Sequence, residues 1–324
     1  MLVFFFALLI GLVILVFSAD RFVTGTASIA RTLGVPPLII GLTIVGLGTS
    51  APEILVSAIS SWQGNSGLAV GNALGSNIAN IGLILGSTAL ISPIAVHSQM
   101  LKRELPILMF TCVVCYLLAF DGLGIVDGLI MILGLFLFLF WLVRTALQNR
   151  NKDPLKKEIE LELPESLPIK KAWIFFGLGL IGLLFSSKLL VWAAVNIAQY
   201  FGISDLVIGL TVVALGTSLP ELAASIMSVL KNEDDLAIGN IIGSNMYNLL
   251  AVYSLPGLIA PGILTDYVIT RDFPVMLIFT GVLFILGYGI AAKAGKINRP
   301  EGLGLLLAYC GYQWVVFQST AIAS

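Results

Sequence analysis

One segment of this chain occurs twice, 168 residues apart. Gly41–Glu53 reads GLTIVGLGTSAPE and Gly209–Glu221 reads GLTVVALGTSLPE, with ten of 13 positions identical. A second segment, Gly71–Asn80, returns at Gly239–Asn248 with the same offset and six of ten identities. Matches at one ungapped offset indicate an internal duplication, so the two halves of the chain are predicted to share one fold.

The sequence around these segments is dominated by apolar spans. Of the 324 residues, 58% are hydrophobic and 11% charged, whereas a soluble domain usually carries about a quarter charged residues. Spans of roughly 20 apolar residues match the thickness of a bilayer, and spans this continuous are typical of helices and not of barrel strands. The predicted fold class is therefore an all-α membrane protein. Its expected surroundings are the lipid bilayer, with no nucleic acid and no protein partner implied.

Ten transmembrane helices are predicted, in two groups of five. Their approximate bounds are 2–31, 36–61, 66–92, 104–120 and 124–147, then 169–200, 204–229, 234–259, 273–291 and 301–319. The one clearly hydrophilic stretch, 148–171, is predicted to be a solvated linker. The expected organisation is a five-helix repeat at 1–147, this cytoplasmic linker, and a second five-helix repeat at 172–324.

Five is an odd number of spans, so the second repeat is predicted to enter the bilayer from the opposite side. Inverted repeats are typical of secondary transporters, which bind substrate near the midplane between the repeats. With both termini outside the cytoplasm, every basic residue except Arg21, Lys188 and Arg271 falls in an inner loop or the linker, as the positive-inside rule favours. Asp20, Arg21 and Lys188 are expected to snorkel towards an interface; an Asp20–Lys188 pair is the alternative.

Two acidic residues, Glu53 and Glu221, lie inside the second and seventh predicted spans. A carboxylate at membrane depth costs about 2.5 kcal/mol or more unless it faces a partner or a cation. Neither span contains a lysine or arginine that could pair with it. The two glutamates therefore predict a cation or proton site, with a structural, hydrogen-bonded glutamic acid as the alternative.

The residues before each glutamate offer further oxygen ligands. Pro52 and Pro220 cannot donate to the carbonyls of Gly48 and Gly216, so each helix is predicted to break, with free carbonyls at 46–48 and 214–216. Hydroxyls stand beside them at Thr49, Ser50, Thr217 and Ser218. Carbonyl, hydroxyl and carboxylate oxygens suit Na⁺ and Ca²⁺, and do not suit Zn²⁺ or Cu⁺.

A polar helix face is predicted on the third and eighth spans. Its members are Asn72, Ser76 and Asn80, and then Asn240, Ser244 and Asn248. Residues spaced i, i+4 and i+8 lie on one side of a helix. These side chains either line the ion site or only hold neighbouring helices together.

These motifs resemble the two alpha-repeats of the calcium/cation antiporter superfamily, and in particular the prokaryotic, ten-helix members of the sodium/calcium exchanger family. GLGTSAPE pairs with GNALGSN-x-x-N, and ALGTSLPE with GNIIGSN-x-x-N. The resemblance covers nearly the whole chain. It implies four ion sites between the second, third, seventh and eighth helices, with Glu53 and Glu221 as the central carboxylates that bind Ca²⁺ and share in Na⁺ binding.

The resemblance also implies the other ligands. They are the side chains of Thr49, Ser50, Ser76, Asn80, Thr217, Ser218, Ser244 and Asn248, with the backbone carbonyls near Gly46 and Ala214. Some relatives carry aspartate where this chain has Asn248. With asparagine at both Asn80 and Asn248, the central charge of −2 matches one Ca²⁺, and the resemblance points away from K⁺ dependence.

The predicted function is secondary antiport, in which Na⁺ entry drives Ca²⁺ extrusion across the inner (cytoplasmic) membrane by competition for one set of ligands. Two bare carboxylates are unfavourable at low dielectric, so the empty site is expected to resist reorientation. The alternatives are a cation/proton antiporter with protonated glutamates and, further off, a cation channel. An enzyme is not expected, and neither is a cofactor besides the transported ions.

Overall fold

The computed structural model describes residues 2–35, 37–96, 101–149, 167–201, 214–288 and 295–323, and this part of the chain is almost entirely helical. In chain order the helices are α1 Leu2–Leu33, α2 Pro37–Ile40, α3 Gly46–Thr49, α4 Ala51–Trp62, α5 Ser66–Ala79, α6 Gly86–Ile91, α7 Leu101–Leu118, α8 Ile125–Asn149, α9 Ile169–Tyr200, α10 Ala214–Thr217, α11 Leu219–Leu230, α12 Asp234–Tyr247, α13 Ser254–Ile259, α14 Phe273–Tyr288 and α15 Arg299–Ala323. Wider π-type turns connect several of them, at Gly41–Val45, Asn80–Leu85, Asn248–Val252 and Val268–Asp272.

Several of these segments are long and apolar enough to cross a bilayer. They are Leu2–Leu33, Ser66–Ile91, Ile125–Thr145, Ile169–Ile197 and Val268–Gly287. A sixth is obtained when the bent pair Gly41–Thr49 and Ala51–Trp62 is taken as one span. Large apolar side chains also point outward along these helices, which suits contact with lipid, and the chain is a helical membrane protein.

The predicted spans coincide with helical structure wherever the chain is described. The start of the seventh predicted span falls at 202–213, outside the described residues, and its remainder is α10 and α11. The all-α prediction missed a short antiparallel pair of strands, β1 Ile94–Val96 and β2 Gly295–Ile297, in which Ala95 lies opposite Lys296. These three-residue strands lie in the loops between predicted spans. They are too short, and their surroundings too polar, to show the alternating apolar pattern that predicts a strand.

The duplication is visible in the secondary structure. The bounds of α11, α12 and α13 are those of α4, α5 and α6 shifted by 168 residues at both ends. The π-type turns that begin at Asn80 and Asn248 are related by the same offset. The repeated sequence therefore forms the same local structure twice.

The helix breaks ahead of each glutamate, as the glycine and proline pattern predicts. The segment Gly41–Thr49 is bent by 50° from Ala51–Trp62, and Ser50 at the break has φ −80° and ψ 4°. Pro52 lies in the first turn of α4, where its missing N–H leaves no hydrogen bond unmade. Pro220 takes the same place in α11. Each proline therefore begins a new helix, and the glutamate follows in its first turn.

The two longest helices, α1 and α9, pack against each other along much of their length. A Cβ atom added to Gly25 would lie 2.5 Å from the backbone nitrogen of Phe176, and one added to Gly179 would lie 2.5 Å from that of Phe22. Only glycine allows two backbones to approach this closely. The main core lies elsewhere, around α5, α12 and the π-type turns that follow them, and it positions the site described next.

Candidate cation site

Glu53 and Glu221 lie in the first turns of α4 and α11 and are almost completely buried, at 1% and 2% exposure. Their carboxyl groups are close enough to interact electrostatically. In the described part of the chain, neither glutamate takes part in an ion pair. The ion pairs there are Arg31–Glu233, Asp20–Lys231 and Arg271–Asp272. Two buried, mutually repelling carboxylates without a basic partner need a proton or a cation to offset their charge.

Each glutamate is faced by hydroxyl groups from the other half of the chain. The Thr217 side chain lies against the Glu53 carboxyl. The Thr49 and Ser50 side chains lie against the Glu221 carboxyl. The predicted hydroxyl and carboxylate ligands therefore meet across the two repeats, and not within one repeat.

Thr49 links the first broken helix to the polar face of α12. Its hydroxyl lies 3.2 Å from Asn240 Oδ1 and 3.5 Å from Ser244 Oγ. It also lies 3.1 Å from the carbonyl oxygen of Val45. The structure thus brings Thr49 and Ser244, two predicted ligands from different repeats, into contact.

Asn72 and Asn240 hold the helices that carry the glutamates. Asn72 Nδ2 donates to the backbone carbonyl of Glu53 at 3.0 Å, and Asn240 Nδ2 lies 3.4 Å from the carbonyl of Glu221. Asn240 also donates to Ser225 Oγ at 3.1 Å. Through Nδ2 these two amides hold neighbouring helices together, and whether their Oδ1 atoms also bind an ion stays a prediction.

The π-type turns that begin at Asn80 and Asn248 pack on the glutamate helices of the opposite repeat. The Asn248–Val252 turn contacts α4, and the Asn80–Leu85 turn contacts α11. Asn80 Nδ2 donates to Asn245 Oδ1 at 2.9 Å, so the amides of α5 and α12 meet at the centre. Turns of this type inside α-helices recur at functional sites because they redirect side chains and backbone groups.

Several buried oxygen atoms of this cluster make no hydrogen bond of good geometry in the described structure, although the Ser50 hydroxyl lies near the Glu221 carboxyl. They are Glu53 Oε2 and Glu221 Oε2, Ser50 Oγ and Ser218 Oγ, and Asn80 Oδ1 and Asn248 Oδ1. The six form three pairs, each related by the 168-residue offset. An unpartnered buried polar group costs about 1–3 kcal/mol, so a mirrored set of six fits a site that receives its partners from a bound cation.

The other predicted ligands lie in or beside this cluster. Ser76 is buried on the same face of α5 as Asn80. The Gly46 carbonyl accepts the Ser50 N–H at 3.0 Å and lies 3.4 Å from the Thr49 hydroxyl. In the second repeat the Ser218 N–H donates to the Leu215 carbonyl at 3.2 Å.

Two serines of the cluster were not among the sequence predictions. Ser57 and Ser225 are fully buried one turn after the glutamates. Ser57 Oγ donates to the Val252 carbonyl at 2.9 Å, inside the π-type turn of the other repeat. The sequence did contain a signal for these serines: each lies four residues after a glutamate, on the same side of the helix, and the two are related by the 168-residue offset.

The chemistry of the cluster is that of hard oxygen donors. Within the described ranges, no group of three or more His, Cys, Asp or Glu side chains is assembled. Two carboxylates surrounded by hydroxyl, amide and carbonyl oxygens fit Na⁺ or Ca²⁺ in donor type. Transition metals would select nitrogen or sulfur ligands.

Apolar helices around a buried polar cluster, built twice from one duplicated sequence, are the arrangement of a membrane transporter. The family model described as sodium/calcium exchanger protein matches residues 3–144 and 171–318. The chain belongs to the sodium/calcium exchanger family, which confirms the resemblance seen in the motifs. Its members are transporters and not enzymes.

Individual relatives agree with this assignment. The chain is 51% identical over 312 residues to the putative antiporter CaxA of Alkalimonas amylolytica, covering 96% of this chain and 98% of that one. It is 34% identical to the sodium/calcium exchanger MaX1 of Methanosarcina acetivorans, covering 97% and 98%. Among solved structures, the sodium-calcium exchanger NCX_Mj soaked with 2.5 mM Na⁺ and 0.1 mM Ca²⁺ superposes with a TM-score of 0.81 at 32% identity, covering 95% of this chain and 96% of that one.

Proposed function

We propose that this chain exchanges Na⁺ for Ca²⁺ across the cytoplasmic membrane by alternating access. The observation that carries the proposal is the pair of buried glutamates, Glu53 and Glu221. They interact with each other, and each keeps an oxygen that has no hydrogen-bond partner among the described residues. Two negative charges match one Ca²⁺, and the same oxygens suit Na⁺. The relative MaX1, named a sodium/calcium exchanger, and the NCX_Mj structure with both ions support this choice of substrates.

The proposed ligand set is the one drawn from the motifs. It comprises Glu53 and Glu221, the side chains of Thr49, Ser50, Ser76, Asn80, Thr217, Ser218, Ser244 and Asn248, and the carbonyls of Gly46 and Ala214. Na⁺ and Ca²⁺ compete for these oxygens, so occupation by one ion displaces the other. Reorientation of the empty site would carry two uncompensated carboxylates through a low dielectric, and this cost couples the two fluxes.

The proposed architecture is ten transmembrane helices arranged as two inverted five-helix repeats, 1–147 and 172–324. The linker 148–171 and most basic residues face the cytoplasm, and both termini lie on the other side. The matching helix bounds of the two halves support this organisation, as does the placement of lysine and arginine in the sequence. No resident cofactor and no protein partner are proposed.

A second candidate function is Ca²⁺/H⁺ antiport. The 51% identical relative CaxA is described only as a putative antiporter, which leaves the counter-ion open. In this alternative Glu53 and Glu221 alternate between Ca²⁺-bound and protonated forms. A proton offsets the charge of a buried carboxylate as a cation does, so the same site serves either exchange.

The deciding experiment measures ⁴⁵Ca²⁺ uptake into liposomes that hold the purified protein. For Na⁺/Ca²⁺ exchange, an outward Na⁺ gradient drives uptake at constant pH, and collapsing that gradient stops it. Uptake driven by an outward proton gradient in Na⁺-free buffer, and unaffected by Na⁺, would instead establish the proton antiporter. Uptake without any counter-ion gradient would contradict both and indicate a channel.

A further inference from the structure

A groove of about 240 Å³ lies between α1 and α9, away from the cation site. Its lining is apolar except at one end. The lining residues are Val13, Ile14, Phe17, Ser18, Arg21, Leu178 and Gly179. Val13, Phe17 and Leu178 are 55%, 64% and 64% exposed, so the groove opens towards the hydrocarbon of the bilayer and not towards the protein interior.

Arg21 closes one end of this groove and is exposed. It lies 12 residues before the end of α1, well inside a span that is otherwise strongly apolar. A guanidinium at such depth is unfavourable unless it reaches an interface or an anion. The neighbouring carboxylate of Asp20 is already paired with Lys231 at 2.7 Å, and in the described part of the chain Arg21 forms no ion pair.

The Arg21 side chain is directed towards the start of α9, where a second cationic side chain, that of Lys171, lies over the same aromatic ring. The Arg21 guanidinium carbon lies 4.9 Å from the centre of the Phe175 ring, and Lys171 Nζ lies 5.5 Å from the centre of the same ring. The two cations therefore share one aromatic ring. Lys171 is exposed and belongs to the first turn of α9, followed by the 44% exposed Trp173. Lysine and tryptophan together mark the depth of the lipid headgroups.

We propose that this groove is a binding site for an anionic phospholipid. The phosphate group lies between Arg21 and Lys171, and one acyl chain lies along Val13, Phe17 and Leu178. Both cations lie within 5.5 Å of the centre of one ring, so one phosphate can accept hydrogen bonds from both. Basic pockets between membrane helices recognise anionic headgroups in this way. The apolar part of the groove contacts the acyl chain, which a free phosphate ion lacks.

The test uses the purified full-length chain in a neutral detergent and follows thermal unfolding on addition of phosphatidylglycerol or phosphatidylcholine. Phosphatidylglycerol is expected to raise the unfolding midpoint by about 2–4 °C more than phosphatidylcholine does. Arg21→Gln and Lys171→Gln should lose most of this difference. Lys188→Gln, which removes an exposed lysine from the same helix pair outside the groove, should keep it.

Two further arms separate the parts of the site. Val13→Trp fills the groove without changing charge and should weaken the response to phosphatidylglycerol. Soluble glycerol phosphate, which lacks acyl chains, should stabilise the wild type far less than the lipid does. If Arg21→Gln folds poorly, the number of phosphatidylglycerol molecules retained by Lys171→Gln and the wild type in native mass spectrometry replaces the melting comparison.

Three results would overturn the proposal. The first is an equal gain from phosphatidylglycerol in the wild type and in Arg21→Gln or Lys171→Gln. The second is an equal gain from the two lipids, which would mean that the groove responds to acyl chains alone. The third is stabilisation by glycerol phosphate as large as by the lipid. None of these readouts involves ion flux, so the proposal stands or falls separately from the transport function.

Discussion

The carboxylate of Asp20 in α1 lies 2.7 Å from the ammonium group of Lys231 at the end of α11. A second ion pair joins Arg31, near the end of α1, to Glu233 in the same loop. The residues at the positions related by the 168-residue offset are Lys188, Gln63, Gln199 and Asn65. Those side chains cannot form the same two ion pairs. Ion pairs therefore link α1 to the loop between α11 and α12, and the equivalent ion pairs cannot form at its repeat partner α9.

The Asp20–Lys231 ion pair should contribute little to the free energy of unfolding, but the two charges should interact measurably. Both side chains are about a third exposed, at 37% and 31%, so Asp20→Asn or Lys231→Gln is expected to lower the free energy of unfolding by at most about 1 kcal/mol. The double variant Asp20→Asn/Lys231→Gln should lose less than the sum of the two single losses. Denaturant unfolding of the four proteins measures this, with Lys188→Gln as the unpaired control. Strictly additive losses in the double variant would mean that the two side chains do not interact.

Replacing either buried glutamate should abolish exchange. Glu53→Gln and Glu221→Gln each remove one of the two central charges, and the rate of gradient-driven Ca²⁺ uptake is expected to fall at least about 100-fold, beyond the loss seen when only supporting residues of a metal site are changed. Asp266→Asn, at an exposed carboxylate outside the cluster, should transport normally. Normal Ca²⁺ flux in Glu53→Gln would exclude the carboxylate from the mechanism.

Ca²⁺ itself should stabilise the folded protein through the same two residues. A ligand at 100 times its dissociation constant stabilises the native state by about 2.7 kcal/mol, so the unfolding midpoint of the wild type should rise with Ca²⁺ concentration. The rise should be absent in Glu53→Gln and in Glu221→Gln and unchanged in Asp266→Asn. A calcium-dependent shift of full size in either glutamine variant would place the principal binding site elsewhere.

Asn240 and Asn72 form a matched pair for testing support of the glutamate helices. Asn240 is buried and bonds to both Ser225 and the Glu221 backbone, so Asn240→Ala should cost about 1–3 kcal/mol of stability and weaken Ca²⁺ affinity roughly 10- to 100-fold. Asn72 is half-buried and makes one such bond, so Asn72→Ala should cost about 0.5–1.5 kcal/mol. Unfolding curves and the concentration of Ca²⁺ for half-maximal uptake measure both. Equal effects would mean that the two amides have equal roles.

The backbone of α12 passes close to the first broken helix, which allows a further prediction. A Cβ atom on Gly243 would lie 2.8 Å from the carbonyl oxygen of Leu42. Gly243→Ala should therefore destabilise the protein by about 1–3 kcal/mol. Denaturant unfolding measures the loss, and an unchanged free energy of unfolding would mean that the two backbones can move apart at no cost.

The sequence was informative wherever local chemistry determines the structure. Long apolar spans located the helices to within a few residues, and Pro52 after Gly48 located the break before Glu53, because a missing N–H acts on its own helix. The repeated motifs also identified the polar cluster, since the two copies carry the same residues. The membrane crossings of all ten spans and the ion ligation by the cluster remain predictions.

Features that depend on tertiary contacts were not predictable. Asp20 was expected to snorkel, or else to pair with Lys188, but it pairs with Lys231 because α1 passes the end of α11. The close approach of Gly243 to the Leu42 backbone could not be seen in the motif itself. Ser57 and Ser225 resembled ordinary small residues of a helix, and only the partner turn at Val252 reveals a role for the first of them.

In the described part of the chain, backbone hydrogen bonds between strands or bridges join the two halves at two places. The strand Ile94–Val96 of the first half pairs with Gly295–Ile297 of the second, and Leu123 exchanges both of its backbone hydrogen bonds with Gly262. During synthesis the first half is therefore made with strand edges that find their partners only when the last third of the chain has been translated. In a chain severed in the linker, we therefore expect both pairings to form only when the two fragments are present together.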